Sequence, residues 1–323
     1  MATLTGNQLG LVEVARRTDP KGDSAKIAEV LTKDNGINAD MIFLEANNTT
    51  IHESVSRSSL PTGSWRQLNK GVANESSSTV KNIDNIGMLE SYAKIDLAAI
   101  EMAPNPAEFE NNEALAFVEG MGQTLATTAF YGNANIDTEQ FMGLAPRMAS
   151  LATNHVISNG GASSGSMTSI FMVQWGESKV HMVYPRGGKG GGIIHKPLGE
   201  QTLVDADGNE YQGKRHHFKI HTGLVVRDAR CIKRVCNILP TGDTNTFDED
   251  KLIQALAYMP QRGAGAVIYL PISISVQAQI KLKNKSNVNW SVGQGLSGEE
   301  FLRFNGKRVV VCEAISESET TVS

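Results

Sequence analysis

The five residues Gly161–Gly165 read Gly-Ala-Ser-Ser-Gly and match the GxSxG pattern that surrounds a hydrolase nucleophile. Such a motif presents its serine on a tight turn between a strand and a helix, whereas the residues that follow here have the apolar pattern of a strand. His216 or His221 as the base and Asp207 as the orienting acid would complete a triad, but no spacing brings them near Ser163. The motif alone is thus weak evidence, and a serine hydrolase that uses Ser163 is the alternative function. Labelling of Ser163 by a fluorophosphonate probe would test this alternative.

The other reactive side chains lack the spacing that a cofactor or a metal requires. Arg186–Gly192 is rich in glycine, but it has neither the spacing of a phosphate-binding loop nor a helix after it. His216, His217 and His221 have no Cys or carboxylate at a standard ligand spacing, and Asp205–Gly208 lacks the later ligands of a calcium loop. The sequence predicts no catalytic residue, no cofactor and no metal, and it predicts a hairpin turn at Asp205–Gly208.

The composition is that of an ordinary globular protein. The chain has 323 residues, of which 40% are hydrophobic and 20% are charged, and its net charge is −4. Its three cysteines form no disulfide framework, and Cys231 and Cys236 have the apolar neighbours of core residues. The first residues lack the pattern of a secretion signal, and the longest apolar run, Ala266–Val276, is too short to span a membrane. We therefore expect a soluble protein from a reducing compartment.

Charges are segregated along the chain. Residues 95–146 contain eight acidic residues and no Lys or Arg, and residues 179–234 contain 11 Lys or Arg against 5 Asp or Glu, an excess of +6. Opposite charges on one chain favour head-to-tail association, in which the acidic face of one copy meets the basic face of the next. Candidate interface residues are Glu108, Glu110 and Glu113 on the acidic side and Arg186 and Lys189 on the basic side.

Two segments near the N-terminus have too little apolar surface to fold alone. Residues 1–35 predict an arm with a short helix that begins after Ser24 and stops at Asn35. Residues 51–72 predict a hairpin with a turn at Pro61 and Gly63. Glu75–Thr79, which is rich in serine, predicts a hinge.

The large apolar groups of the predicted hairpin are few, and Trp65 is expected on its second strand. A lone two-stranded hairpin is marginally stable in water, so we expect this one to pack on another copy of the chain. The candidate interface residues on it are Ile51, Val55, Arg57, Trp65 and Arg66.

The helix and strand patterns predict an α+β protein with mainly antiparallel strands. A long helix is predicted over residues 105–130, with Asn105 as its cap, Pro106 at its first position and Glu108 completing a capping box. A second helix is predicted at Glu249–Met259, capped by Thr246. Strict alternation of apolar residues predicts one long strand over residues 268–282.

Two short turn motifs predict hairpins in the C-terminal half of the chain. Asn305-Gly306 is expected to join strands at Phe301–Phe304 and Lys307–Ile315, and Asp207-Gly208 is expected to close another hairpin upstream. Met167–Trp175 is predicted to be a strand.

Three segments, in this order, resemble the major capsid proteins of tailed bacteriophages. They are His52–Ala73, Phe130–Met148 and Ser169–Gly187, and the last carries the Trp-Gly, Val and Tyr-Pro pattern typical of that family. With the spacing between them, the resemblance extends over most of the chain.

The resemblance implies the capsid fold of the Hong Kong phage type, which tailed phages share with herpesvirus capsid floors. Residues 1–46 would be an N-terminal arm and residues 47–78 an extended hairpin loop. Residues 79–160 would form a peripheral domain with a spine helix, and residues 161–265 an axial domain. Residues 266–323 would contain a long strand and a C-terminal hairpin that return to the peripheral domain.

The resemblance also implies a function. The chain would assemble with itself, as hexamers and pentamers, into an icosahedral shell that encloses double-stranded DNA without sequence-specific binding. Scaffold, portal and decoration proteins would be partners, no membrane would be involved, and assembly in the host cytoplasm would place the protein in the virion. A surface or tail protein that polymerises without a closed shell is a third alternative.

Overall fold

The computed structural model of the chain describes residue 33 and residues 35–162, 165–188, 190–205, 207–242, 244–282, 289–294 and 300–323. The helix predicted after Ser24, the motif serine Ser163 and the interface candidate Lys189 lie outside these residues.

The chain divides into two compact units, and the predicted α+β class is confirmed. The first unit contains Met88–Leu125 and Gly192–His221. The second contains Asp34–Gly87, Ala126–Gly191 and Thr222–Ser323.

The described helices and strands are as follows, in chain order. The helices are α1 (Ile37–Asp40), α2 (Leu97–Met102), α3 (Pro106–Tyr131), α4 (Leu144–Arg147), α5 (Glu249–Ala257) and α6 (Ile272–Leu282). The strands are β1 (Phe43–Glu45), β2 (Ile51–Ser59), β3 (Ser78–Asn85), β4 (Gly87–Asp96), β5 (Val156–Ser158), β6 (Thr168–Val173), β7 (Val180–Tyr184), β8 (Ile194–Val204), β9 (Glu210–Val226), β10 (Ile232–Ile238), β11 (Val267–Leu270), β12 (Trp290–Gln294), β13 (Glu300–Phe304) and β14 (Lys307–Val311).

The second unit is built on a sheet of seven strands in the order β12-β13-β14-β11-β6-β10-β5. The central strand β6 pairs antiparallel with β11 and β10, and all its residues are buried because both of its faces are covered. Ile170 and Met172 join an apolar cluster with residues of α5 and α6. On the other face, the Phe171 ring lies 5.1 Å from that of Phe130. The predicted strand at Met167–Trp175 is thus confirmed as this core strand.

The predicted N-terminal hairpin forms, but with a different second strand. β2 pairs antiparallel with β3, from Ile51 opposite Asn85 to Ser59 opposite Ser78. The prediction that Trp65 stands on a strand is therefore wrong, and the end of the predicted hinge belongs to β3. Residues 79–83 contain the β-branched Thr, Val and Ile that favour a strand, whereas residues 66–72 contain Asn, Lys and Gly, which do not.

In the first unit, the N-terminal part of α3 covers strand β9. Asn105 caps α3 as predicted, since the backbone N–H of Glu108 donates to Asn105 Oδ1 at 3.4 Å. The return bond of the predicted capping box differs, because the Glu108 carboxylate accepts from the side-chain Nδ2 of Asn105 at 3.2 Å. Alternate residues of β9 point toward the helix, and Phe218 stacks on Phe117 with ring centroids 5.7 Å apart. The predicted Asp207-Gly208 turn joins β8 to β9, which pair antiparallel.

The long strand predicted over residues 268–282 is wrong beyond Leu270. β11 ends there, and α6 follows it. Pro271 lies just before the helix, where its missing N–H is not needed, and its carbonyl accepts from the N–H of Ser275 at 3.0 Å. Ile274 and Ala278, four residues apart, face the core. The alternation was misleading because every second member of it is exposed on the other side of the helix, namely Ile272, Val276 and Ile280.

The predicted helix at Glu249–Met259 and the predicted hairpin at Asn305-Gly306 are both present, but their ends differ from the prediction. The cap of α5 is Asp248, whose side chain accepts from the N–H of Asp250, rather than Thr246, and the helix ends at Ala257 rather than at Met259. The Asn305-Gly306 hairpin is confirmed, although β14 ends at Val311.

A buried network of charges fastens the segment around Glu319 to the core of the second unit. Glu319 is 8% exposed. Its carboxylate accepts from Arg234 Nη2 at 3.0 Å, from the Tyr131 hydroxyl at 2.5 Å and from the Ser169 hydroxyl. The guanidinium of Arg234 also donates to the carbonyl of Met148 at 2.9 Å. Because both charges are buried, each depends on the other for its solvation.

We predict that Glu319→Gln lowers the free energy of unfolding of the unassembled subunit by about 3–5 kcal/mol, because it leaves the Arg234 guanidinium buried without a countercharge. Urea denaturation followed by circular dichroism measures the change.

Glu317→Gln is the matched control, since the same chemical change is made at an exposed carboxylate two residues away. Its expected effect is within about 0.5 kcal/mol. Equal losses in the two variants would contradict the role assigned to the buried pair.

Candidate assembly surface

Residues 60–77, which connect β2 to β3, form a hairpin tip that exposes apolar side chains. Trp65 is 105% exposed, Leu68 is 86% and Leu60 is 68%, and Val55 on the neighbouring strand is 68%. A single exposed apolar residue is ordinary, but this hairpin exposes seven, the other three being Val72, Val80 and Ile83, and together they are a candidate contact surface. Covering them would stabilise a complex by about 25 cal/mol for each Å² of apolar surface buried.

The hairpin tip is held in shape by an acidic side chain. The Glu75 carboxylate accepts from the backbone N–H groups of Thr62 at 2.8 Å and Gly63 at 3.0 Å. Gly63 has a φ of 68°, in the left-handed region that glycine enters without strain. The turn predicted at Pro61 and Gly63 is nevertheless wrong, because the turn of the tip lies at Leu68–Asn69, where the N–H of Lys70 donates to the carbonyl of Gln67 at 3.2 Å.

The hairpin is anchored where it joins the rest of the second unit, at a hairpin base formed by His52, Asp84, Arg147, His181 and Leu224. Asp84 Oδ1 accepts from Arg147 Nη2 at 2.7 Å, and the same nitrogen donates to the carbonyl of Leu224 at 3.0 Å. Both Asp84 and His52 are buried, and they lie directly opposite each other on β3 and β2. The ion pair therefore ties the end of the hairpin to α4 and β9.

Close backbone approach adds to this anchor. A Cβ atom on Gly223 would lie 2.4 Å from the carbonyl oxygen of Asn85, so only glycine allows the end of β3 to meet β9 at this distance. The orientation of the hairpin is thus fixed by contacts inside the second unit.

Two buried histidines lie together at the hairpin base. The rings of His52 and His181 meet edge to face, with centroids 5.8 Å apart. Burial lowers the pKa of both imidazoles, and the positive charge of Arg227 lowers both further, while Asp84 partly offsets this effect. Both rings are therefore neutral near pH 7, and protonation would place two charges beside Arg227.

The structure describes nine of the ten predicted interface residues and places them in three different settings. Six of them are exposed: Val55, Arg57, Trp65, Arg66, Glu108 and Arg186. Two are half-buried, Ile51 and Glu110. Glu113 is buried. Lys189 lies outside the described residues.

Some charges of the acidic and basic segments pair with each other inside one subunit. Glu110 on α3 accepts from Lys214 Nζ on β9 at 2.8 Å, and His216 Nε2 lies 3.2 Å from the same carboxylate. The acidic and basic segments therefore meet within the first unit at this point, which sequence spacing alone could not reveal. Glu110 is accordingly a weaker interface candidate than the exposed Glu108.

The remaining chemical candidates have structural roles. His217 and His221 both bond to the carboxylate of Glu90, at 2.9 and 3.1 Å. The two bases considered for a triad with Ser163, His216 and His221, therefore lie beside Glu110 and Glu90 rather than beside Asp207. Among the described residues no cluster of His, Cys, Asp or Glu has the arrangement of a metal site. Within the same part of the chain, no helix is long and apolar enough to cross a membrane.

The cysteines predicted to be core residues are buried. All three are free thiols inside the protein. Burial raises the pKa of Cys231 and of Cys236 to about 11. They are therefore neutral apolar groups at physiological pH.

Sequence reasoning missed the residues of the hairpin base. Asp84 and Arg147 are 63 positions apart, and no local pattern pairs them. Leu60 and Leu68 were also missed, although they lie in the segment already singled out.

The fold, with its projecting hairpin, matches a known bacteriophage structure. A chain in the near-atomic structure of bacteriophage Epsilon15 is similar to this one with a TM-score of 0.73 and 27% identity, over 100% of this chain and 99% of that chain. This similarity assigns the fold to the tailed-phage capsid class, the Hong Kong phage type that the resemblance implied.

The family model for the major capsid protein GP7 matches residues 19–323. The chain belongs to this family: it is a virion structural protein that forms the icosahedral shell of a tailed phage. Looser similarities are found to the bacteriophage JBD30 capsid (TM-score 0.48, 10% identity, 96% of both chains) and to the SrpI encapsulin of Synechococcus elongatus (TM-score 0.46, 9% identity, 74% of this chain and 100% of that one). No match was found among curated protein sequences.

We predict that the subunit loses stability as the pH falls from about 7 to 5, because the unfolded chain binds protons at His52 and His181 before the folded chain does. Each imidazole contributes a slope of up to about 1.4 kcal/mol per pH unit. Replacing both with Gln should make this dependence shallower, as measured by urea denaturation across the pH range.

Comparison of the two proteins at pH 8, where the imidazoles are neutral in both states, gives the cost of the substitutions themselves. A dependence as steep in the double variant as in the wild type would rule out these two histidines as its source.

Proposed function

We propose that this capsid protein builds its shell from hexamers and pentamers, with the hairpin tip of each copy covered by a neighbouring copy. The shell encloses a double-stranded DNA genome without sequence-specific binding. Scaffold, portal and decoration proteins are further partners, and assembly takes place in the host cytoplasm. The observation that supports this proposal is the exposure of Trp65, Leu68 and Leu60 in the isolated subunit.

The parts of the chain have proposed roles in that shell. Residues 1–46 serve as an N-terminal arm, 47–78 as the extended loop and 79–160 as the peripheral domain with α3 as its spine helix. Residues 161–265 form the axial domain, and residues 266–323 return to the peripheral domain. The paired strands of the extended loop continue past residue 78 to Asn85, because β3 is its second strand.

The energetics favour many modest contacts over one tight contact. Burying roughly 1,000 Å² of apolar surface yields a gross stabilisation of about 25 kcal/mol. Loss of translational, rotational and side-chain freedom removes much of it. Each contact is therefore reversible during assembly, and closure of the shell adds the contacts together.

We predict that Trp65→Ala leaves the subunit folded and abolishes or strongly reduces shell formation. The indole touches no core, so the circular dichroism spectrum and the melting temperature should match the wild type, while negative-stain electron microscopy and sedimentation should show few closed shells.

Tyr258→Ala, at another exposed aromatic residue outside the hairpin, is the control and should assemble normally. Unfolding of Trp65→Ala would show that Trp65 belongs to its own subunit's core. Wild-type protein that forms tubes or sheets, or that stays monomeric with assembly partners present, would refute the closed shell.

A further inference from the structure

The sequence contains three Asn-Gly pairs, and the fold holds them differently. They are Asn35-Gly36, Asn159-Gly160 and Asn305-Gly306. Glycine has no side chain to shield its backbone nitrogen, and this nitrogen can attack the amide carbon of the preceding asparagine. The attack requires an asparagine side chain that is able to rotate and a glycine N–H that no acceptor holds.

The pair at Asn159 is restrained by hydrogen bonds on both reacting groups. Asn159 Nδ2 donates to the carbonyl of Asn245 at 2.9 Å and to that of Thr246 at 2.8 Å. The attacking group, the backbone N–H of Gly160, donates to Ser158 Oγ at 3.1 Å. The reaction would have to break these bonds first.

The pair at Asn35 is restrained by a hydrogen bond and by close packing. Asn35 Oδ1 accepts from the backbone N–H of Ala314 at 2.9 Å. A Cβ atom on Gly36 would lie only 2.3 Å from Val310 Cγ1, so the backbone of this pair is packed against β14. The amide of Asn35 is therefore held away from the attacking nitrogen.

The third pair has neither kind of restraint. Asn305 and Gly306 form the two-residue turn between β13 and β14, and both are exposed. Both have positive φ, 46° and 73°, as a type I′ turn requires. In the part of the chain that the structure describes, the side chain of Asn305 and the N–H of Gly306 have no hydrogen-bond partner.

Positive charges flank this turn. Lys307 directly follows Gly306, and Arg303 lies two residues before Asn305 on β13. Attack by the glycine nitrogen develops negative charge on the amide group of Asn305, and neighbouring cations stabilise such charge. The turn therefore combines an unrestrained nucleophile with a favourable electrostatic setting.

We propose that Asn305 is a site of spontaneous deamidation. The Gly306 nitrogen forms a bond to Asn305 Cγ, the bond from Cγ to the side-chain nitrogen breaks, and ammonia leaves with the proton of the Gly306 N–H. Water then opens the resulting five-membered imide at either carbonyl, which gives aspartate or isoaspartate. Both products add a negative charge, and isoaspartate also lengthens the turn by one backbone carbon, which disturbs the pairing of Phe304 with Lys307.

Peptide mapping of the folded subunit by mass spectrometry tests the site. After incubation at pH 8, we expect deamidation at Asn305 to be several-fold faster than at Asn35 or Asn159. The same chain unfolded in urea is the matched control, because it keeps the three Asn-Gly sequences and removes the hydrogen bonds. The advantage of Asn305 should then be lost.

Ser158→Ala tests the protection assigned to the hydrogen bond at Gly160. This variant removes the acceptor, so deamidation at Asn159 should become faster in the folded subunit, while the rate at Asn305 stays the same. Circular dichroism checks that the variant is folded. Ion-exchange chromatography separates the deamidated wild-type chain by its added charge, and we expect this chain to unfold at a lower urea concentration.

Deamidation at Asn305 that is no faster than at Asn35 and Asn159 in the folded subunit would overturn this inference. An equal advantage of Asn305 in urea would overturn the role given to the fold, because the sequence alone would then set the rate. An unchanged rate at Asn159 in folded Ser158→Ala would overturn the protection assigned to the Gly160 hydrogen bond.

Discussion

A two-stranded hairpin has two faces and no interior, so the apolar side chains on it are buried only when something else covers them. In this subunit the hairpin of β2 and β3 carries Trp65, Leu68 and Leu60 into solvent. The two compact units have cores of their own, and neither covers these residues. The folded subunit therefore exposes apolar surface that favours association with another molecule. Such a surface agrees with the capsid family to which the chain belongs.

Exposed surface is useful for assembly only if it is presented in a fixed direction. The hairpin base provides this, because the Asp84–Arg147 ion pair, the Leu224 carbonyl and the close approach at Gly223 hold one end of the hairpin. At the other end, the Glu75 carboxylate orders the tip through backbone N–H groups. A preorganised hairpin has less conformational entropy to lose when a neighbour binds it.

The sequence predicted elements well where local signals decide them. The cap at Asn105 located α3, and Asn305-Gly306 located a hairpin. It failed where two patterns compete: the alternating apolar residues after Pro271 fit a strand, yet they form a helix whose core face is set by tertiary packing.

The contacts of the candidate surface were the hardest to predict. Trp65 was recognised as unburied because its segment has few apolar neighbours, but its strand assignment was wrong because β3 had stronger strand propensity than the residues nearer the turn. The partners of the hairpin base are distant in sequence, and an ion pair such as Asp84–Arg147 has no local signature. Pairing of Glu110 with Lys214 likewise depends on a helix crossing a strand from a remote segment.

The position of Glu319 has a consequence for protein synthesis. Its carboxylate meets Arg234, Ser169 and Tyr131 inside the second unit, so this core is completed only after residue 319 has left the ribosome. A nascent chain that terminates before that point keeps an uncompensated guanidinium at its centre. Such a truncated chain is therefore expected to fold less stably than the full-length subunit.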